Sequence, residues 1–181
     1  MKLLMPLPLL IRLKNCKTSS KAKANYFPQG EGICLCGFAK KGKTMVFETN
    51  SPEQTEALGA KLAQQLRPGT VIAYTGDLGA GKTAFTRGMG AALCPGEPVS
   101  SPTYAIVNEY IGDTCRICHF DMYRITDDED LYSIGFYDYE DCIIVCEWSE
   151  NIEYALPECY YKVTIRKKDE NTREITIEEI R

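Results

Sequence analysis

Residues 71–93 read VIAYTGDLGAGKTAFTRGMGAAL. A β-branched and aromatic run at residues 71–75 predicts a strand, and the pattern at residues 84–93 predicts a helix. Between them, residues 76–83 fit GxxxxGK(S/T). A glycine-rich turn that joins a strand to a helix directs backbone N–H groups and the positive end of the helix toward one point. The segment therefore predicts a phosphate-binding loop.

The individual residues of this loop have different expected roles. The glycines allow the backbone N–H groups to converge on phosphates, Lys82 can reach the β- and γ-phosphates, and Thr83 can place its hydroxyl on Mg²⁺. The alternative is a glycine-rich turn that binds nothing, which the presence of the strand, the lysine and the threonine argues against. The residues predicted to contact a nucleotide here are Gly76, Asp77, Leu78, Gly79, Ala80, Gly81, Lys82, Thr83 and Ala84.

A second match to the same motif occurs earlier in the chain. Residues 37–44 read GFAKKGKT, but residues 45–49, MVFET, follow as a predicted strand. A strand cannot present a helix N-terminus to a phosphate. We therefore expect no nucleotide site at the first motif.

Charge divides the chain near Met45. Residues 1–44 contain nine Lys or Arg residues and one acid, a formal charge of +8, whereas residues 45–181 contain twelve basic and twenty-four acidic residues, a charge of −12. We predict a basic extension with little packed structure at residues 1–44 and a single domain at residues 45–181. The acidic surface of that domain argues against direct, non-specific binding of nucleic acid.

The extension begins with an apolar segment at residues 3–11. It is far too short to span a bilayer and contains Pro6 and Pro8. A secretory signal peptide is one interpretation, although lysines and Arg12 fill the region that should be uncharged. An organellar transit peptide is another. We prefer a third, in which residues 1–44 are a dispensable extension or a misplaced start.

The rest of the chain alternates between strand and helix patterns. A helix with an N-cap at Ser51 and leucines at every fourth position is predicted up to Pro68, and Thr126 begins a shorter one. Together with the loop strand and helix, these patterns predict an α/β fold in which a mixed β-sheet is flanked by helices. The predicted strands lie at residues 45–49, 71–75, 104–110, 115–123, 142–146, 160–166 and 173–180.

Two carboxylates end predicted strands. Asp121 closes one strand and is our candidate for the acidic Mg²⁺ partner that a phosphate-loop enzyme needs, with a loop cap as the alternative. Glu147 ends the apolar strand at residues 142–146 and could hold Mg²⁺ through water or orient an attacking water. Its alternative is an ordinary carboxylate at a strand end.

Three further residues are weaker candidates. Thr103, in a Ser-Pro-Thr turn, could approach the γ-phosphate or could cap the turn. Trp148 could stack on the nucleotide or belong to the core. His119, the only histidine, lies on the same strand face as Asp121 by alternation, and we favour a hydrogen-bonded structural role over that of a base.

Nine cysteines raise the question of disulfides or metal. Their odd number, the length of the chain and the apolar setting of Cys142 and Cys146 favour a reducing cytosol. Residues 115–119, CRICH, fit the signal for covalent haem attachment. However, alternation along a strand places Cys115 and Cys118 on opposite faces, which argues against a shared zinc ion or haem.

Several motifs together resemble one family. These are the loop at residues 76–83, SPTY at 101–104, HFDMYR at 119–124, IGF at 134–136 followed by Tyr139, and EW at 147–148. In order and spacing they are similar to the bacterial TsaE (YjeE) family, over residues 45–180. Met122 stands where the family usually has leucine, a volume-conserving difference.

The resemblance implies a cytoplasmic ATPase of tRNA threonylcarbamoyladenosine synthesis. It also implies TsaB and TsaD subunits as partners. The residue patterns described above predict ATP and Mg²⁺ as cofactors, Lys82, Asp121 and Glu147 as catalytic residues, and Thr83, Asp121 and Glu147 as metal ligands. We expect tRNA to be reached only through the complex, and no membrane association. Because no arginine is clearly committed to the γ-phosphate, we expect weak activity that a partner completes.

Two other functions share the loop. A small-molecule kinase normally needs a mobile basic lid, and basic residues after the loop, such as Arg87, Arg116 and Arg124, are scattered. A nucleotide-sensing interaction module with negligible turnover is the other. The sequence does not separate that module from a partner-activated ATPase, because the discriminating residue can lie on another chain.

Overall fold

The computed structural model describes residues 44–139 and 141–181. The predicted extension, residues 1–44, and the first GxxxxGKT motif therefore lie outside the described residues except for Thr44. That threonine is the first residue of strand β1. The strand predicted after the first motif is thus confirmed and begins one residue earlier than expected.

The described residues form one mixed sheet with the strand order β1-β7-β6-β2-β5-β4-β3. The four inner strands β6, β2, β5 and β4 are parallel, and the pairs β1–β7, β6–β7 and β3–β4 are antiparallel. The predicted mixed α/β sheet is confirmed. Its strands are β1 (Thr44–Thr49), β2 (Val71–Thr75), β3 (Val107–Ile111), β4 (Arg116–Asp121), β5 (Ile143–Glu147), β6 (Tyr160–Lys167) and β7 (Arg173–Ile180).

The register of the inner strands brings three chain segments to one edge. Asp121 at the end of β4 lies opposite Glu147 at the end of β5, and Ala73 of β2 lies opposite Cys146. The glycine-rich loop that follows β2 therefore starts at the same edge as the two carboxylates. Ligand sites of α/β sheets are typically found at this carboxyl edge.

Helices α1 (Pro52–Ala63) and α2 (Lys82–Leu93) pack closely against each other. A Cβ atom added to Gly88 would lie 1.8 Å from the carbonyl oxygen of Glu56, so only glycine permits this approach. The predicted N-cap of α1 is confirmed, because the Ser51 side chain accepts a hydrogen bond from the backbone N–H of Gln54. The α1–α2 pair thereby forms the layer that carries the loop.

Several predicted boundaries are wrong. Helix α1 ends at Ala63 rather than near Leu66, because the backbone tightens into a turn in which the Leu66 N–H donates to the Ala63 carbonyl. Strand β3 begins at Val107 because residues 103–105 form a turn closed on Pro102. Strand β4 ends at Asp121, which caps a 3-10 helix at residues 122–124.

The two faces of the sheet bury different clusters. On the face toward α2, the Tyr74 ring meets Phe85 edge-on at 5.9 Å. On the other, Phe120 packs against Phe136 at 5.3 Å, near the short helix α3 (Asp128–Ser133). Among the described residues, no helix has the length and apolar character needed to cross a membrane.

Candidate functional site

The loop after β2 adopts backbone conformations that require glycine. Gly76, Gly79 and Gly81 have φ angles of +144°, +74° and +115°, a region that L side chains rarely occupy. In addition, a Cβ atom on Gly76 would lie 2.3 Å from the carbonyl oxygen of Ile165 on β6. Helix α2 begins at Lys82, directly after Gly81. The strand, loop and helix succession predicted from the sequence is therefore present.

A cleft of about 740 Å³ lies over this loop. Most of the predicted site residues line it.

 Three of the residues that line the cleft were not predicted as site residues: Arg87, Ser101 and Tyr123. The predicted residues that line the cleft are Leu78, Gly79, Ala80, Gly81, Lys82, Thr83, Ala84, Thr103, Asp121, Glu147 and Trp148.

Lys82 is buried and held by its own loop. Its Nζ donates to the carbonyl oxygens of Gly76 at 2.7 Å and Asp77 at 3.0 Å. These two residues were predicted to contact a nucleotide, but they are not among those that line the cleft. The ammonium also lies 4.9 Å from the centroid of the Trp148 ring. The lysine is therefore placed at the floor of the loop, where a positive charge would attract phosphate.

Trp148 forms one wall of this end of the cleft. Its backbone is left-handed, with φ of +57°, directly after Glu147 at the end of β5. The half-buried ring packs against Tyr123, with centroids 5.2 Å apart. Because the ring also covers the Lys82 ammonium, it lies next to the place where the phosphates of a nucleotide are expected. Stacking on the nucleotide base stays a prediction.

Glu147 is the centre of a hydrogen-bonded chain. Its Oε1 accepts from the Thr83 hydroxyl at 3.2 Å and lies 3.0 Å from Nε2 of His119. Burial acts to raise the pKa of the Glu147 carboxyl, but the hydrogen bond with His119, the charge of Lys82 and the hydroxyl of Thr83 together lower the pKa below its usual value. The carboxylate is therefore ionised at neutral pH and faces the threonine of the loop.

His119 is fully buried, as a structural role requires. An ionised carboxylate only accepts hydrogen bonds, so Nε2 carries the proton that the ring donates to Glu147. The other ring nitrogen, Nδ1, has no hydrogen-bond partner within the described part of the chain. The ring does not line the cleft. Its contact with Glu147 was not predicted, because alternation along β4 gives a face but no partner on β5.

Asp121 caps a turn and also lines the cleft. Its Oδ1 accepts a hydrogen bond from the backbone N–H of Tyr123 at 3.0 Å and so caps the 3-10 helix. The side chain is also one of those that line the cleft. The second oxygen, Oδ2, could therefore serve a metal ion while Oδ1 holds the backbone.

The oxygen atoms at this edge fit Mg²⁺. That ion usually takes one or two carboxylates and completes its shell with water and substrate phosphates. Thr83, Asp121 and Glu147 supply a hydroxyl and two carboxylates beside the loop, and the register of β4 and β5 places the carboxylates on neighbouring strands. These are the three residues that could hold the ion.

Thr103 lies in the exposed turn at the mouth of the cleft. Its hydroxyl is 2.8 Å from that of Ser101, so a local hydrogen bond forms in the turn, as the capping alternative predicts. The turn leads into Ile106, a β-branched residue with φ of +69° whose carbonyl accepts from the backbone N–H of Asp121 at 2.9 Å. This hydrogen bond connects the turn that carries Thr103 to Asp121 at the end of β4.

Arg87 lies on α2, one turn beyond Thr83. Its Nη1 is 2.5 Å from Oε1 of Glu56 on α1, and about half of the side chain is exposed. The arginine therefore lines the cleft while its charge is paired with a carboxylate of the neighbouring helix. The four-residue spacing between Thr83 and Arg87 along α2 could have indicated that Arg87 lies beside the loop. The pairing of Arg87 with Glu56 on α1 could not have been inferred from that spacing.

Comparison with known proteins agrees with the motifs. A family model described as "Threonylcarbamoyl adenosine biosynthesis protein TsaE" matches residues 49–175. The chain is 34% identical over 134 residues to a Bacillus subtilis protein named tRNA threonylcarbamoyladenosine biosynthesis protein TsaE, covering 74% of this chain and 85% of that one. A Rickettsia conorii protein of the same name is 38% identical over 127 residues, covering 68% and 72% of the two chains.

A solved structure shows the same fold. The crystal structure of Bacillus subtilis YdiB superimposes with a TM-score of 0.66 at 30% sequence identity, covering 79% of this chain and 90% of that one. The residues matched by the TsaE family model include the loop, Asp121, Glu147 and Trp148. The chain therefore belongs to the TsaE family of tRNA threonylcarbamoyladenosine biosynthesis.

Proposed function

We propose that this protein is a P-loop ATPase that binds and hydrolyses Mg·ATP to support tRNA threonylcarbamoyladenosine modification together with TsaB and TsaD partners. The observation that carries the proposal is the hydrogen bond between Thr83, in the loop, and Glu147, at the end of β5. It joins the phosphate-binding element to the acidic edge of the sheet, which is the arrangement that phosphoryl transfer needs.

The loop residues bind the phosphates in this proposal. Backbone N–H groups of the glycine-rich turn face the anion, and Lys82 leaves the carbonyl oxygens of Gly76 and Asp77 to pair with it. Mg²⁺, when bound, neutralises phosphate charge and orients the nucleotide. Thr83 and Asp121 would supply oxygen atoms to the ion, and Glu147 would supply a third or orient the attacking water through its second oxygen.

The position of Glu147 supports a water-orienting role. Oε1 is already shared by Thr83 and His119, so the carboxylate is fixed in one orientation. A general base or orienting group works best when its own geometry is fixed in this way. The lowered pKa keeps the carboxylate ionised at neutral pH and able to accept a hydrogen bond from water.

In this proposal the arginines near the cleft explain why the isolated protein hydrolyses ATP only weakly. Of the arginines in the described residues, Arg87 lines the cleft, and its guanidinium is paired with Glu56. An arginine supplied by another protein can raise phosphoryl-transfer rates by about 10³ to 10⁵. The proposed TsaB and TsaD partners therefore complete or release the activity, and the −12 charge of residues 45–181 favours a basic contact face on them.

The described cysteines support a cytoplasmic location for this activity. Six cysteines in this part of the chain are free thiols, including Cys118 and Cys142 in the core. Free thiols persist in reducing compartments. tRNA contact is assigned to the partners in this proposal, because an acidic surface repels the phosphate backbone.

ATP turnover tests the proposal. Hydrolysis is measured with the purified full chain alone, with TsaB and TsaD, and with a panel of small phosphate acceptors as the kinase control. We expect slow release of phosphate that rises when both partners are added and falls as salt weakens the complex. Phosphorylation of a small acceptor, or the absence of hydrolysis even with both partners, would contradict the proposed function.

A further inference from the structure

The hairpin of β6 and β7 contacts the phosphate-binding loop at both of its ends. At the start, the Thr75 and Thr164 hydroxyls are 3.0 Å apart, and Gly76 lies against the backbone of Ile165. Near the end of the loop, Nε of Arg173 donates to the carbonyl oxygen of Ala80 at 2.9 Å. Arg173 is the first residue of β7 and stands 93 positions after Ala80 in the sequence.

The other side of the Arg173 guanidinium is fixed in the hairpin turn. Nη1 donates to the carbonyl oxygens of Asp169, Glu170 and Thr172 at 3.1, 3.1 and 3.2 Å. The turn is itself held by the Asp169 carboxylate, which accepts from the backbone N–H groups of Asn171 and Thr172. The planar guanidinium has enough donors to serve both elements at once. It therefore links the turn to the loop.

This contact fixes the orientation of one peptide group in the loop. The C=O of Ala80 and the N–H of Gly81 belong to the same trans peptide and point in opposite directions. Because Arg173 holds the carbonyl, the Gly81 N–H points away from Arg173. Arg173 itself does not line the cleft, so its effect reaches a ligand only through the backbone.

We propose that Arg173 is a positioning residue for the phosphate-binding loop, which it keeps in the conformation that presents the Gly81 N–H to the phosphates of a nucleotide. The proposal rests on the proposed function, since it needs a nucleotide in the cleft. The phosphates cradled by backbone N–H groups in such loops are the α- and β-phosphates, which ADP and ATP share. We therefore expect loss of Arg173 to weaken the binding of ADP and of ATP to the same extent.

The test compares Arg173→Met with Arg173→Lys and with Arg166→Met. Arg166 is exposed on β6 and serves as the matched control. Affinities for Mg·ADP and Mg·ATP are measured by calorimetry, and hydrogen exchange of the amides of residues 77–83 is followed in the nucleotide-free proteins. We expect Arg173→Met to weaken the binding of Mg·ADP and of Mg·ATP by about tenfold or more, as loss of a charge-assisted hydrogen bond does. We also expect faster hydrogen exchange of the loop amides in this variant.

Arg173→Lys and the wild type separate failure of this proposal from unfolding of a variant and from failure of the proposed function. A lysine can reach the loop or the turn but not both, so Arg173→Lys should keep the fold and show intermediate affinity even if the methionine variant unfolds. Wild-type affinity and loop exchange in a folded Arg173 variant overturn the proposal and leave the proposed function intact. Failure of the wild-type chain to bind either nucleotide overturns the proposed function, and the role of Arg173 with it.

Discussion

The Lys82 ammonium lies 4.9 Å from the centroid of the Trp148 ring, and it is held there by the carbonyl oxygens of Gly76 and Asp77. A phosphate in the loop competes with those carbonyls and with the ring for the same charge. Trp148 is the only tryptophan of the chain. Its fluorescence therefore reports on the position of Lys82.

We predict that Mg·ADP changes the emission of Trp148, and that adenosine, which lacks phosphates, does not. Lys82→Ala should lose both the response and most of the nucleotide affinity while remaining folded, because the substitution removes a phosphate counter-charge. Fluorescence titration and circular dichroism measure these outcomes. Lys43→Ala is the control, since it alters the first GxxxxGKT motif. If Lys82→Ala binds Mg·ADP like the wild type, the assignment of the loop is wrong.

The two carboxylates at the sheet edge should affect hydrolysis more than binding. Asp121→Asn and Glu147→Gln keep the size of each side chain but remove the negative charge that acts on the metal ion or the water. We expect partner-stimulated hydrolysis to fall by about a hundredfold or more, with a much smaller change in the dissociation constant of Mg·ADP. Glu150→Gln, at an exposed position close to Glu147, is the control. Wild-type turnover in both site variants would show that Asp121 and Glu147 are structural.

The lowered pKa of Glu147 makes stability depend on pH. The ordinary pKa of the carboxyl is 4.5, and in the folded protein it is lower, so the ionised form stabilises the fold above pH 4.5. This contribution is lost as pH falls from 4.5 through the folded pKa. Urea unfolding measured from pH 7 downward should show a smaller acid-dependent loss in Glu147→Gln than in the wild type. Equal losses in the two proteins would mean that Glu147 is not linked to folding.

The sequence predicted the parts of the site that depend on neighbouring residues. The strand, loop and helix at residues 71–93 follow from local pattern, and Asp121 and Glu147 were placed by the rule that functional carboxylates follow parallel strands. Contacts between distant segments were not predicted. The link between Arg173 and Ala80 depends on β6 pairing with β2, and local periodicity does not give the order of strands in a sheet.

The strained backbone at Ile106 was also not predicted from the sequence. Nothing in the pattern of residues 104–110 distinguishes Ile106 from an ordinary strand residue, and a strand was predicted there. In the structure its φ is +69°, because its N–H donates to the Pro102 carbonyl and its own carbonyl accepts from Asp121. These two hydrogen bonds, one within the turn and one to the end of β4, outweigh the strong β preference of isoleucine. They also fix the turn that carries Thr103.

The strain at Ile106 leads to the last prediction, which compares Ile106→Gly with Ile106→Ala. Both variants lose nearly the same half-buried side chain. At an ordinary position glycine is less stable than alanine by about 0.5–1 kcal/mol, because it gains more freedom in the unfolded chain. A left-handed backbone reverses the order, since alanine retains a Cβ that costs about 1–2 kcal/mol there. We therefore expect Ile106→Gly to unfold at a higher urea concentration than Ile106→Ala. The usual order, with alanine the more stable variant, would show that residue 106 does not hold the left-handed conformation in solution.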